Sequence, residues 1–383
     1  MKIPLSNPDI TELEKGAVAA VLDTPFLSFG PKIPEFEGAV ADFAGVKYAQ
    51  AMSSGTAVLH TLVRALGISQ GDYVLTTPFS FISTANCLLY EGAKPIFVDI
   101  DENTYNISPE AVEKVLLSQP DYVRQRIKAV FYVDVFGVPA NGEGFERLGK
   151  KYHLKIVEDS AEALGSKING RKCGSFGNAG IFAFYPNKQI TTGEGGMLVT
   201  NDPELARMAK SLRNQGRDEG AGWLQHPRLG FNYRMSDINA AIGLAQMKRI
   251  EEIVNKRRKA KTLYDNSFEG LFQKKILIPQ LSQGENFISP FVYVLRMGDS
   301  CQRKDRDRLL DYLRDNGIGC SNYFTPIHLQ KHFVELGWKY GDFPVTERIS
   351  ERTFALPFYS NLSEKQVEFV VNRVTEFFGS KKS

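Results

Sequence analysis

Apolar and polar positions change period along this chain. Between residues 48 and 200, short β-rich runs alternate with stretches of helical period. "YVLTTP" (73–78) predicts a strand, "SFISTANCLLYEG" (80–92) a helix ended by Gly92, and "KPIFVDI" (94–100) a strand. "SPEAVEKVLLS" (108–118) predicts a helix with Ser108 as cap and Pro109 in its first turn. "IKAVFYVDVFG" (127–137) begins as a strand, and "NGEGFERLGKKY" (141–152) is helical. "LKIVEDSA" (154–161) and "GIFAFY" (180–185) are further strands. Strand and helix in strict turn predict an α/β fold: a mostly parallel sheet, right-handed crossovers, and helices on both faces. Functional residues are then expected on loops beyond the carboxyl ends of the strands.

After residue 200 the pattern shifts. "DPELARMAKSLRNQG" (202–216) predicts a helix, and a polar stretch containing Trp223 runs to about residue 230. One long charged helix is expected from about Ser236 to Asn266, then a strand in "SPFVYVLRM" (289–297) and helices near 303–315 and 363–378. That divides the chain into a large domain, 1–249, and a smaller C-terminal α+β domain, 250–383. A length of 383 residues agrees, being too long for one ordinary core.

The net charge is +3, from 47 basic and 44 acidic residues. So even a balance gives no support for a nucleic-acid or membrane partner, and leaves room for a basic pocket that takes an anionic small molecule. The start, "MKIPLSNPDITELEKG", reads as a polar arm entering a helix, and no apolar run approaches the roughly 20 residues of a membrane span. Cys87, Cys173, Cys301 and Cys320 form no CxxC pair and are expected to be free thiols in a reducing cytoplasm. His328 and His332 have the four-residue spacing of metal ligands, but no third ligand lies near, so no metal is expected.

Five stretches carry candidate chemistry. In "FAFYPNKQITTGEGGMLVT" (182–200), Lys188 stands between apolar runs that look buried, where lysine is unusual. An amine relieved of its charge is a nucleophile and forms a Schiff base with a carbonyl. Gly193, Gly195 and Gly196 would let backbone approach a ligand. The plainer reading is a turn lysine beside a hairpin. In "VEDSAEALG" (157–165), Asp159 follows a buried strand and could hold a protonated ring nitrogen; Asp159 and Glu162 could equally form a helix capping box. In "AMSSGTAVLHTLV" (51–63), Ser54 and Thr56 open a helix and could cradle a phosphate, or Ser54 could be an ordinary N-cap. "TTPFSFISTAN" (76–86) offers Phe79 and Phe81 for stacking on a flat ring, with Phe79 the better core residue. "GFNYRMSDINAAIGLAQ" (230–246) places Asn232 and Arg234, an amide and a guanidinium suited to phosphate, before a helix that Ser236 could cap. Together these are the parts that a pyridoxal phosphate enzyme needs. No Rossmann or P-loop glycine pattern follows a strand.

These stretches, with "FGPKIPEFE" (29–37) and "YFTPIHLQ" (323–330), resemble the DegT/StrS sugar-nucleotide aminotransferases nearly end to end, in order and in spacing. The resemblance implies a fold-type I pyridoxal 5'-phosphate enzyme. Lys188 would bond the cofactor and then carry the proton of the 1,3-shift. Asp159 would pair with the ring nitrogen, Phe81 would stack on the ring, and Gly55 and Thr56 would bind the phosphate. Glu162 would sit by the ring hydroxyl, where members often have Gln or His. Asn232 would reach the phosphate of the neighbouring subunit, making a homodimer with shared sites. Arg234 and His328 would lie near the nucleotide-sugar, and Tyr185 near the lysine. Ala183 departs from the phosphate-binding serine common in the family, so other donors must serve.

"SAEALGS" and "NKQITTGEGG" are closer to members that aminate C4 of a 4-keto-6-deoxy sugar, with glutamate as donor and surface polysaccharide or glycan as the destination. The alternatives are a C3 keto-sugar or cyclitol aminotransferase, or a regulator that keeps the fold without catalysis. Lys188 argues against the related dehydratases, which carry histidine there.

Overall fold

A computed structural model describes residues 1–220, 222, 224–281 and 286–379. Trp223 of the polar stretch lies outside the described residues. The strands, in chain order, are β1 (Tyr48–Met52), β2 (Tyr73–Thr76), β3 (Lys94–Phe97), β4 (Ile127–Val133), β5 (Lys155–Asp159), β6 (Lys167–Ile168), β7 (Arg171–Lys172), β8 (Ala179–Ala183), β9 (Gly196–Thr200), β10 (Leu277–Pro279), β11 (Asn286–Phe287), β12 (Tyr293–Met297) and β13 (Thr353–Leu356).

Seven of them form the main sheet in the order β1-β9-β8-β5-β4-β2-β3. From β8 to β3 every pair is parallel, while β9 runs antiparallel to both its neighbours. This is the mostly parallel α/β sheet that the alternation predicts. The central strands are apolar on both sides because both faces are covered. Val130, Tyr132 and Ile156 pack against the side that holds Val112, Leu116, Phe145 and Leu148 of the helices Pro109–Ser118 and Gly142–Tyr152. Ala129, Phe131, Val157 and Ile181 pack on the other side, against the helices Gly55–Ala65, Ser83–Tyr90 and Pro203–Arg213.

A second sheet, β10-β12-β13, is antiparallel and shares its core with helices Ile250–Gln273, Arg303–Asp315 and Glu364–Gly379. Ile3 joins that core and bridges to Ile318, so the N-terminal arm docks on the C-terminal region. No helix among the described residues is long and apolar enough to cross a membrane.

Two expectations change. The long helix is two, Asp237–Met247 and Ile250–Gln273, because Arg249 leaves helical geometry at φ −113°, ψ 9°. The break coincides with tertiary bonds: the Arg249 guanidinium reaches Asp9 and Glu14, and Gln246 Nε2 donates to Asp9 O and Glu14 Oε1. Residues 160–165 form turns and no helix, so the capping box of Asp159 and Glu162 does not form.

Candidate active site

Four strands of the main sheet end at one place. Beyond their carboxyl ends lies a cavity of about 620 Å³, a size suited to a cofactor with a small substrate. Val133, Asp159 and Ala183 line it from the ends of β4, β5 and β8, and Ser80 and Phe81 from the loop after β2.

Lys188 enters on the turn between β8 and β9. Its side chain is 11% exposed, and its Nζ lies 3.5 Å from Glu162 Oε1 and 4.0 Å from the centre of the Phe291 ring. The amine is therefore neither a surface charge nor a core defect: one acid and one aromatic face hold it at the cavity wall. Of the glycines after it, Gly195 lines the cavity, and Gly196 serves the chain's own packing. A Cβ on Gly196 would stand 2.6 Å from Ser54 O and 2.7 Å from Gly55 N, so only glycine lets β9 pass the start of the neighbouring helix.

Two acids face the amine. Asp159 ends β5 and is buried; its Oδ2 accepts from Thr84 Oγ1 at 2.7 Å and its Oδ1 from Ala161 N at 3.2 Å. Burial raises the pKa of this carboxyl, while Thr84, Ala161 and the charge of Lys188 oppose the rise. Glu162 behaves alike. Burial raises it, Lys188 and the Phe136 amide oppose, and the nearby Asp159 adds to the rise. The amide reaches Glu162 Oε2 at 2.9 Å because Phe136 adopts φ 59° at the end of β4, an unusual conformation for a side-chain-bearing residue.

The helix Gly55–Ala65 points its start at the same space. Ser54 is its N-cap, taking Ala57 N on Oγ at 3.1 Å, and Ser54 O takes Val58 N. The amides of Gly55 and Thr56 are left without a partner in the helix, and both residues line the cavity. The two readings of this stretch are compatible: Ser54 caps, and the amides of the next two residues stay free at the cavity, as a helix start open to an anion would have them. Residue 55 has to be glycine, since a Cβ there would lie 2.8 Å from the Cβ of Ala183.

The phenylalanines separate as expected. Phe79 is fully buried among Tyr105, Phe136 and Phe324, whereas Phe81 is 62% exposed in the cavity. Tyr185 also lines it. The structure therefore brings Lys188, Asp159, Glu162, Gly55, Thr56, Phe81 and Tyr185 together.

Three expected residues stand apart. Asn232 is exposed and outside the cavity, bridging to Asn214. Arg234 donates to Asn214 Oδ1 at 2.9 Å and pairs its backbone with Met52, next to the cradle. His328 is fully buried, with Nε2 at 2.9 Å from Glu347 Oε1 and its ring against Phe343. A side chain so enclosed ties its segment to the helix Pro344–Ser350 and does not face the cavity. His332 bonds Asn86 Oδ1 instead, so the two histidines share no ligand position. Sequence reasoning passed over Thr84, Glu194, Phe291, Asn322 and Tyr323, which join the wall. Thr84 and Tyr323 lie inside motifs already singled out; Phe291 had no signal beyond a strand pattern.

The geometry can be set beside known proteins. The profile of the DegT/DnrJ/EryC1/StrS aminotransferase family matches residues 8–375. GDP-perosamine synthase of Escherichia coli O157:H7 is 33% identical over 380 residues, covering 99% of each chain. Spore coat polysaccharide biosynthesis protein SpsC of Bacillus subtilis is 34% identical over 98% of this chain and 96% of its own. Among solved structures, Helicobacter pylori PseC, an aminotransferase involved in the biosynthesis of pseudoaminic acid, superposes with a TM-score of 0.91 at 31% identity, over 99% of this chain and all of that one. With the site's lysine and acids in one cavity and the match running almost from end to end, the chain belongs to the DegT/DnrJ/EryC1/StrS aminotransferase family and is a fold-type I aminotransferase.

Proposed function

We propose that the cavity binds pyridoxal 5'-phosphate and that the protein moves an amino group from glutamate to a keto sugar nucleotide, at C4 of a 4-keto-6-deoxy sugar. The observation that carries this reading is the convergence of the Lys188 amine, the buried Asp159 carboxyl and the free helix start at Gly55 and Thr56 on one cavity. The residues fit the cofactor: an amine for its aldehyde, an acid for its ring nitrogen, and amides for its phosphate. Bound pyridoxal phosphate supplies an electron sink for proton removal at the carbon that bears the nitrogen.

The chain supplies everything else. Lys188 is the nucleophile and afterwards the base and acid that moves the proton. Asp159, held by Thr84 and Ala161, keeps the ring nitrogen protonated. Phe81 would stack on the ring, and Glu162 would stand by its hydroxyl. Tyr185 borders the sugar.

Asn232 serves the phosphate held by the partner subunit of a homodimer, with Arg234 on the side of the nucleotide-sugar. Asn232's exposure outside its own cavity supports this, as do the exposed apolar side chains Leu22, Phe26, Leu27 and Phe29, which lie close together in the chain. The 4-keto choice rests on the resemblance of "SAEALGS" and "NKQITTGEGG" to members that aminate C4.

The test is an absorption spectrum of the purified protein with pyridoxal phosphate, before and after glutamate, followed by a panel of 4-keto and 3-keto nucleotide sugars. A yellow band that bleaches with glutamate and returns with a 4-keto sugar is expected. A protein that stays colourless overturns the cofactor, and preferred turnover of 3-keto sugars overturns the C4 choice.

A further inference from the structure

We propose that Arg257 and Gln189 are positioning residues for Lys188: they tie the two neighbours of the lysine to the segment 289–291 and so fix its amine between Glu162 and Phe291. This rests on the reading that Lys188 is the reacting amine.

Arg257 lies on the helix Ile250–Gln273 and is 3% exposed. Its Nε donates to Pro290 O at 2.9 Å, and its Nη2 donates to Phe291 O at 2.7 Å and to Asn187 O at 3.2 Å. Among the described residues it has no carboxylate partner. Burial pulls its pKa down to about 10, against the distant charge of Asp9. A buried cation without a counter-ion is costly, so its acceptors are informative. They are not scattered: Asn187 precedes Lys188, and the ring of Phe291 is the one that faces the amine.

Gln189 makes the matching tie from the other side. It is 3% exposed, and its Nε2 donates to Ser289 O at 3.0 Å and to Glu162 O at 2.6 Å. Lys188 is therefore bracketed. Residue 187 is bound to 290–291 through Arg257, and residue 189 to 289 and to the backbone of the acid that the amine meets. The guanidinium donates from two separate nitrogens, Nε to Pro290 and Nη2 to Phe291 and Asn187, so lysine at 257, with one donor nitrogen, would keep the charge and lose part of the clamp. A residue that merely packed the helix against the sheet would have no reason to choose these carbonyls.

The experiment compares the holoenzyme with Arg257→Lys, Arg257→Met and Gln189→Ala. Two quantities are read: kcat and KM for a 4-keto sugar nucleotide, and the rate at which borohydride traps pyridoxal phosphate on Lys188, identified by peptide mass. Misplacing the amine should slow kcat and trapping together by about 10- to 100-fold in Arg257→Lys, with KM changed less than about threefold. Gln189→Ala should move the same way by a smaller factor, and it decides the matter if both Arg257 variants fail to fold. Unchanged trapping and kcat in a folded Arg257→Lys, or a loss confined to KM, would overturn the clamp. If the wild type traps the cofactor no better than Lys188→Ala does, the assignment of Lys188 fails instead.

Discussion

Glu158 and Asp159 are adjacent on β5, both are buried, and burial raises both carboxyls, but they look to opposite sides of the sheet. Asp159 faces the cavity, where the charge of Lys188 and two hydrogen-bond donors favour its anion. Glu158 faces Asp134 and Cys173, whose ligand-type atoms and its own lie within 4.8 Å of one another, with Tyr132 beside them. The nearest charge acting on Glu158 is another acid, which adds to the effect of burial. Two carboxyls so placed hinder each other's ionisation, which favours a proton between them. The contrast teaches that burial alone does not make a working acid. Asp159 has access and a counter-charge; Glu158 has neither, and its carboxyl is part of the packing.

The largest break in that contrast is removal of the counter-charge. Lys188→Ala should abolish transamination, a loss of at least about 10⁴-fold, because on the proposed mechanism both the nucleophile and the proton carrier go. Its circular dichroism and melting curve should stay close to wild type. Normal turnover by this variant would remove Lys188 from the mechanism.

Next comes the acid itself. Asp159→Asn keeps shape and an acceptor for Ala161 or Thr84 but loses the anion. The expected loss in kcat is on the order of 10²-fold, the scale of one charge-assisted contact. Pyridoxal phosphate should still bind, since the cradle at Gly55 and Thr56 is untouched. A variant with full kcat would mean that the ring nitrogen needs no anion here.

How far these features could be read in advance depends on whether their cause is local. The helix Pro109–Ser118 begins where Ser108 and Pro109 announce it, because a cap and a fixed φ act within one turn. Lys188, Asp159, Gly55 and Phe81 each sit beside a turn or at a strand end, so pattern and resemblance could single them out. The break at Arg249 could not be seen: no glycine or proline marks it, and its partners Asp9 and Glu14 lie about 240 residues away in sequence. Phe291 and Arg257 were invisible for the same reason, since their roles exist only once the C-terminal region meets the lysine turn. His328 misled in the opposite direction, because its motif could not show that Glu347 and Phe343 enclose it.

The smallest effect tests the silent side of the comparison. Asp134 accepts from Ala140 N at 2.8 Å and from Ser160 Oγ at 2.7 Å, yet burial outweighs these bonds and those to Glu158 and Cys173 and pushes its carboxyl from 3.8 up to about 6. Between those values the folded protein keeps a proton that the unfolded chain releases. The stability from this group is thus complete below the ordinary carboxyl value and is lost as pH rises through about 6. Asp134→Asn cannot titrate, so the stability of wild type minus that of the variant should fall by on the order of 2 kcal/mol across this window and level off above it. Glu14, held down to about 2 by Thr11, Gln246 and Arg249 against its burial, has the opposite pH dependence, but it is common to both proteins and cancels in the difference. Denaturant midpoints taken at about one-unit steps from pH 4 to pH 7 would show the slope. A difference that is flat or rises with pH would mean that Asp134 is ionised throughout, with Glu158 alone holding the proton, and that the pair is more polarised than its shared burial suggests.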